Sequence, residues 1–381
     1  MRRPKRKTIA AALCLLLCLC LLPAGARAEG LPDALTAEKS LCRMAGCPEG
    51  RLLEDTSFMR AGESGSDWMA FVFALNGVPE RYGSYLARLE KNVTMRYERH
   101  GCLDPTLATE YHRIALTVLA LGGDPRAFGK DGAGKPVDLV AEGIWDFRPG
   151  VGRQGLNGLI YALILLDAGD YAVPEGSGTD REWLLEQILG SQNGDGGFGF
   201  SPGDSDVDMT AMTLSALAPY ADSCRESIDR ALEWLSGRQG PDGQFASFGS
   251  ENAEAAAQVV LALSTLGLDP AEDPRFTKNG VSAADALASF RLEDGTFCHV
   301  AGEPSDGMAT EQALMAMTAM QRMRSGGASI YDFTDYAPPA GAGKGTPPAV
   351  WAGIAAAAVC AGAGAAVFAG RRRKRHADSD E

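Results

Sequence analysis

Histidine is scarce in this chain of 381 residues, with four in all. The three in its body, His100, His112 and His299, have no metal-ligand spacing, so a zinc enzyme of the usual kind is not expected. There is no phosphate-cradling glycine loop and no nucleophile with a paired base, so no cofactor is expected. Cysteines 42, 47, 102, 224 and 298 lie between the chain's two ends. Five is an odd number, no CxxC occurs, and isolated buried thiols are the preferred reading. Positive charge is also short. Setting aside residues 1–28 and 371–381, 25 Lys and Arg face 46 Asp and Glu, a net charge of −21. Such a surface repels nucleic acid and anionic head groups.

Both ends carry what the middle lacks. Residues 1–7 hold five positive charges, an apolar run follows from Ile9 to Leu22, and Ala26-Arg27-Ala28 reads as a small-x-small cleavage site. Residues 1–28 are therefore expected to be a signal peptide. Residues 349–370 contain no charge and are followed by Arg371-Arg372-Arg373-Lys374-Arg375. This pattern predicts a transmembrane helix with residues 371–381 as a basic cytoplasmic tail. Residues 334–348, rich in Pro, Gly and Ala, are expected to form a stalk. The expectation is a single-pass type I protein of the cell membrane, with residues 29–333 extracellular.

That body repeats itself. Gln192-Asn-Gly-Asp195-Gly196-Gly-Phe198 returns as Gln239-Gly-Pro-Asp242-Gly243-Gln-Phe245, and again as Arg291-Leu-Glu-Asp294-Gly295-Thr-Phe297. A period near fifty residues marks a supersecondary unit. Each Asp-Gly step fits a tight turn. The flanks, such as Ala231-Leu232…Trp234-Leu235 and Val259-Val260…Leu263, have helical spacing. In the first half, 68–75, 110–121 and 156–166 look like buried second helices, and 35–44, 82–97 and 137–142 like more polar first ones. The fold class expected is all-α: a single α/α toroid of about six helical hairpins, closed so that no apolar end is left bare.

The Gln-x-x-Asp-Gly-x-Phe phrases resemble the prenyltransferase/squalene-oxidase repeat of the terpenoid cyclase and protein prenyltransferase superfamily. Thr109-Glu-Tyr-His-Arg113, Gln154-Gly-Leu-Asn-Gly158, Asp206-Val-Asp-Met-Thr-Ala-Met212 and Asp306-Gly-Met-Ala-Thr-Glu-Gln312 are similar to uncharacterised bacterial surface proteins. Those share their toroid with the cobalamin carriers transcobalamin and intrinsic factor. The resemblance implies the fold over most of residues 60–333 and leaves activity open.

Asp206-Val207-Asp208-Met209-Thr210-Ala211 is similar to the Asp-x-Asp-Asp-Thr-Ala of class II terpene cyclases. There, clustered carboxyls hold the proton that attacks an alkene. By that match Asp208 is the acid and Asp206 its neighbour, but Met209 replaces the last Asp, and only 7% of residues are aromatic. Aligning Met212, Gln258 and Gln312 brings Asp206, Asn252 and Asp306 to one helix-capping position. Asp208 and Glu254 then fall in the first turn, where a carboxylate suits the helix dipole. Asp195, Asp204 and Asp206 are weak calcium candidates without the EF-hand spacing.

The preferred expectation is therefore a non-catalytic cell-surface module that binds a small molecule, a glycan or a protein at the mouth of the ring. Trp68, Glu110, His112, Asn157, Asp206, Asp208, Glu254 and Glu311 are its candidate contacts, with Trp145 a further rim residue. A cyclase-like or glycan-active enzyme using the rim acids, and a purely structural or adhesion protein, stand as alternatives.

Overall fold

The computed structural model describes residues 31–341. The expected signal peptide, transmembrane span and basic tail lie outside the described residues. Among the described residues no helix is long and apolar enough to cross a membrane, so the placement at the cell membrane is corrected and is not carried further.

Twelve α-helices occur among the described residues: α1 (Leu31–Ala45), α2 (Ser64–Leu75), α3 (Tyr82–His100), α4 (Ala108–Ala120), α5 (Leu139–Gly143), α6 (Leu156–Ala168), α7 (Arg181–Gly190), α8 (Val207–Leu217), α9 (Arg225–Arg238), α10 (Ala253–Thr265), α11 (Ala283–Ala288) and α12 (Gly307–Arg324). The even-numbered helices form an inner ring, each packed on the next, with α12 returning onto α2. Sequence dictates which helices go inside. In α6, Leu159, Ile160 and Ala162–Leu166 are all buried, so no polar stripe is left to face water. The outer α3 is amphipathic, burying Tyr82, Tyr85, Leu86, Leu89, Val93 and Tyr97 at intervals of three and four.

The repeated phrases are the turns between outer and inner helices. Phe198, Phe245 and Phe297 are buried beneath them. The Phe198 and Phe297 amides donate to the hydroxyls of Thr210 and Thr310 at 2.9 and 3.0 Å. Gly196, Gly243 and Gly295 have φ of 96°, 85° and 85°. A Cβ at these glycines would meet Arg230, Val281 and Thr36 at 2.5–2.8 Å. Each turn thus presses on the next hairpin round, and the last presses on α1. Closure is therefore written into the repeat. Ser40 Oγ, donating to Asp294 O at 2.7 Å, ties the same joint.

Short antiparallel ladders follow two of the phrases: β1 (Ala246–Ser247) with β2 (Ser250–Glu251), and β5 (Phe297–Cys298) with β6 (Ser305–Asp306). A third pairs β3 (Thr277–Lys278) with β4 (Val281–Ser282) ahead of α11. The expected stalk departs from expectation where it is described. Phe333 N donates to Ala168 O at 2.9 Å, and the Tyr336 hydroxyl lies 3.1 Å from both Ala74 O and Ala120 O. Gly83 N donates to Gly341 O. The chain after α12 therefore crosses the ring at the C-terminal ends of the inner helices instead of leading away. Aromatic rings hold it there: Phe71 stands 6.2 Å from Tyr331 and 5.9 Å from Phe333. The mouth left open is the one at the helix N-termini.

Candidate active site at the N-terminal mouth

Every inner helix turns one face to the ring axis, and the axial residues recur four apart. A cavity of about 190 Å³ is lined by Ser64 and Trp68 of α2, Thr109 and Arg113 of α4, Asn157 and Tyr161 of α6, and Met212 of α8. In α4 and α6 these pairs are the second and sixth helical residues. The same register gives Asp208 and Met212 in α8, Glu254 and Gln258 in α10, and Met308 and Gln312 in α12. Gln258 Nε2 donates to Gln312 Oε1 at 2.9 Å across the ring wall.

Asp206 caps α8. Its Oδ1 accepts Met209 N at 3.1 Å, and its Oδ2 accepts Ser247 Oγ at 2.7 Å. Asp208 begins the axial face, and its Oδ1 is buried with no partner. Burial first, then the charges of Asp206 and Glu254, push its carboxyl up to about 7, although Ser247 bonds to it. Met209 is buried at the position of the third Asp of the cyclase motif. Glu254 from the next helix supplies the additional negative charge instead. Its Oε2 meets His299 Nδ1 at 2.8 Å, and that bond raises the imidazole. Glu311 is 3% exposed, and its Oε2 has no partner. Burial first, then Asp67, holds it well above the usual carboxylate range.

Other expected residues are engaged elsewhere. Glu110 binds Arg113, and it accepts from Arg96 Nη1 at 2.7 Å. Burial pushes its carboxyl up, but the two arginines outweigh that and hold it low. Arg113 also reaches the fully buried Asp67 at 3.1 Å, and Tyr85 donates to the same carboxylate at 2.7 Å. Glu110 is thus part of a scaffold under the mouth. His112 points outward: Nε2 donates to Gly143 O of α5 at 2.7 Å, and burial lowers it to about 4. It stays neutral and lines no cavity. Trp68 and Asn157 do line the axial cavity, with Trp68 tilted on Tyr161 at 6.0 Å. Trp145 packs partly against the core. Asp195, Asp204 and Asp206 border one groove, but among the described residues they form no metal-holding group. Asp195 is bound to Ser205 Oγ and Trp234 Nε1 at 2.7 and 2.8 Å.

That groove, about 480 Å³, lies between the fourth and fifth repeats and shares Asp206 and Ser247 with the acid cluster. Phe200 and Phe248 stand at its edge, 56% and 81% exposed, their rings 5.5 Å apart. Phe248 has φ of 51°, an unusual conformation for an aromatic residue. A third cavity of about 440 Å³ lies at the opposite end of the ring. Of the three acids that line it, Asp167, Asp170 and Asp332, Asp167 is already bonded to Arg181 Nε at 2.7 Å and Tyr220 at 3.0 Å. Unpartnered acid oxygens are found at the N-terminal mouth.

Sequence reasoning missed Asp67, Arg113, Tyr161 and Ser247. The four-residue recurrence of Thr109/Arg113 and Asn157/Tyr161 carried the signal for two of them. Ser247 and His299 arrive from loops and could not be placed by periodicity.

No protein-family model matches the chain. The chain is 29% identical over 289 residues to drimenyl diphosphate synthase of Streptomyces showdoensis, covering 68% of this chain and 53% of that relative. It is 31% identical over 185 residues to drimenyl diphosphate synthase of Streptantibioticus cattleyicolor, covering 46% of this chain and 34% of the relative. The chain thus spans about half the length of the first and a third of the second. Among solved structures, Candida albicans protein geranylgeranyltransferase-I complexed with GGPP aligns with a TM-score of 0.49 at 12% identity, over 76% of this chain and 91% of that one. The ent-copalyl diphosphate synthase from Streptomyces platensis aligns with a TM-score of 0.38 at 18% identity, over 66% and 50%. The sequence relatives are enzymes. The preferred expectation of a non-catalytic binding module is therefore corrected, and the cyclase-like alternative is the one they favour. The relatives and the closed ring of paired helices agree with the resemblance to the terpenoid cyclase and protein prenyltransferase superfamily that the repeats carry.

Proposed function

We propose that this chain is a terpenoid-cyclase-like enzyme that starts cyclisation of a linear prenyl diphosphate by protonating an alkene, with Asp208 as the acid. One observation carries the proposal. The Asp208 carboxyl sits at the mouth with a buried, unpartnered oxygen, and burial, then the charges of its neighbours, pushes it up to about 7. An acid that protonates carbon must hold its proton near neutral pH and release it to a weak base in a dry site. Asp206, fixed by the Met209 amide and by Ser247, stands beside the proton donor. Trp68 and Tyr161 offer ring faces to positive charge developing on the axis.

The axial cavity is smaller than the roughly 300–1,000 Å³ of common ligand pockets. A prenyl chain therefore needs more room than this cavity offers, and the exposed rings of Phe200 and Phe248, packed on each other at the edge of the neighbouring groove, are the apolar surface nearest the acids. The relatives are named for drimenyl diphosphate, which motivates the diphosphate substrate class.

The test is to incubate the purified chain with prenyl diphosphates of graded length, then dephosphorylate and separate the products by gas chromatography with mass detection. A cyclic product made by the native chain and lost in Asp208→Asn supports the reading. Turnover that survives in Asp208→Asn, or absence of binding and turnover across the series, refutes it.

A further inference from the structure

On the far side of the ring from the acid cluster, the first hairpin holds a second group of reactive side chains. Glu38 and Cys42 stand one turn apart on α1, and Glu80 precedes α3. Their ligand atoms all lie within 4.8 Å of one another. Glu38 and Cys42 are 1% exposed, and Glu80 is 6% exposed. Cys47 stands outside this group of three but acts on the Cys42 thiol, and being half-buried it can be drawn in as a fourth ligand. We propose that Glu38, Cys42, Cys47 and Glu80 form a zinc site that staples α1 to the loop after it and to the start of α3.

Charge is the first argument. Two carboxylates are buried side by side, and neither forms an ion pair among the described residues. Buried acids ordinarily pair with a cation or bind a metal. Backbone amides offset part of the cost: Gly50 N donates to Glu38 Oε1 at 2.7 Å, and Leu52 N to Glu80 Oε1 at 2.8 Å. Amides alone leave the like charges facing one another. Burial, with Glu38 contributing, raises Glu80 to about 7. A divalent ion between the two acids would replace their mutual repulsion with attraction to a shared cation.

Ligand chemistry is the second. Two sulfurs and two carboxylate oxygens suit a borderline ion such as zinc better than magnesium or calcium. Donors on one tetrahedral zinc stand roughly 3.3–3.8 Å apart, given bonds of about 2.0–2.3 Å. Cys42 Sγ already lies 2.9 Å from Glu38 Oε1. Burial and the Glu38 carboxylate hold the Cys42 thiol in its protonated form, and a bound zinc would release that proton. The spacing Glu-x3-Cys-x4-Cys, completed by a glutamate 33 residues later, matches no common zinc signature.

The test uses the full chain purified without chelator. Plasma emission analysis should find one zinc per chain, and cobalt replacement should give a thiolate-to-cobalt charge-transfer band. Removing the metal should lower the melting temperature, and adding zinc should restore it. Cys42→Ser and Glu80→Gln should each lose the ion, whereas Cys102→Ser should keep it. The cobalt spectrum and zinc titration of the unaltered chain decide the matter even where a variant fails to fold. Absence of metal with no zinc-dependent shift overturns the proposal. So does stoichiometric zinc retained in both Cys42→Ser and Glu80→Gln, or a Cys42–Cys47 disulfide in the freshly isolated protein.

Discussion

Asp208→Asn tests the acid through folding stability, without any substrate. In the folded chain the Asp208 carboxyl is raised to about 7 from an ordinary 3.8. A group raised on folding contributes stability that is fully present below its unfolded value and is lost as pH rises through its folded one. At pH 5 the folded chain holds this proton and the unfolded chain does not; at pH 8 neither does. The full shift makes the native protein about 2.7 kcal/mol more stable at pH 5 than at pH 8 through this group alone. Asp208 is partly exposed, and solvent screening brings the figure to about 1–2 kcal/mol. Asparagine has no proton to exchange. The gap in melting temperature between native and Asp208→Asn chains should therefore change by about 2–4 °C from pH 5 to pH 8, moving in the variant's favour as pH rises. Calorimetry at pH 5, 6, 7 and 8 reads this directly. Parallel profiles for the two proteins would refute the raised carboxyl, and the assignment of Asp208 as acid would go with it.

Glu311→Gln should act in the same direction. Native stability should fall relative to the variant by up to about 1.4 kcal/mol for each pH unit above the unfolded carboxylate's value, seen in urea titrations at several pH values. Arg113→Met should cost about 3–5 kcal/mol by leaving the buried Asp67 unpaired, and the double change with Asp67→Asn should recover part of it in the same denaturation assay. Phe245→Ala opens a cavity under a repeat turn and should cost about 3–5 kcal/mol, measured by chemical denaturation. Tyr336→Phe should cost about 0.5–1.5 kcal/mol if the chain after α12 is docked on the ring, and nothing measurable if it hangs free.

The ring was legible because two signals agreed. The repeated Asp-Gly-x-Phe turns marked the hairpins, and uncharged stretches such as 156–166 marked the inner helices. The capping role of Asp206, Asn252 and Asp306 was equally legible, and each accepts the third amide of its helix. What failed had a common cause. Glu110 and His112 stand on an inner helix near the mouth, but helical period alone does not say which face meets the axis. Thr109 and Arg113 took that face, leaving Glu110 to the arginines and His112 to α5. Phe333 and Tyr336 were hidden by composition: a segment rich in Pro, Gly and Ala reads as a spacer, yet two aromatic anchors are enough to dock it. The grouping of Glu38, Cys42 and Glu80 is a contact between elements, which no one-dimensional pattern reports.

The same local rules that cap the helices also prepare the acid. All six inner helices begin at one end of the ring, so their positive dipole ends gather there and favour carboxylates. A single exposed carboxylate at such a position would be lowered and would make a poor proton donor. Several carboxylates converging on a narrow mouth behave differently, because each added charge disfavours the next and burial disfavours them all. Asp206 has the Met209 amide and Ser247 as hydrogen-bond donors. Glu254 has His299 to balance it. Asp208, between them with an unpartnered oxygen, is the position where holding a proton relieves most repulsion. The carboxyl left neutral by this competition still carries its proton near neutral pH, and so has one to give to an incoming alkene. Replacing Glu254 by Gln should accordingly lower the Asp208 value and leave less of it protonated at neutral pH, so that turnover shifts toward acid pH in a pH–rate profile while the α8 cap and the fold stay in place.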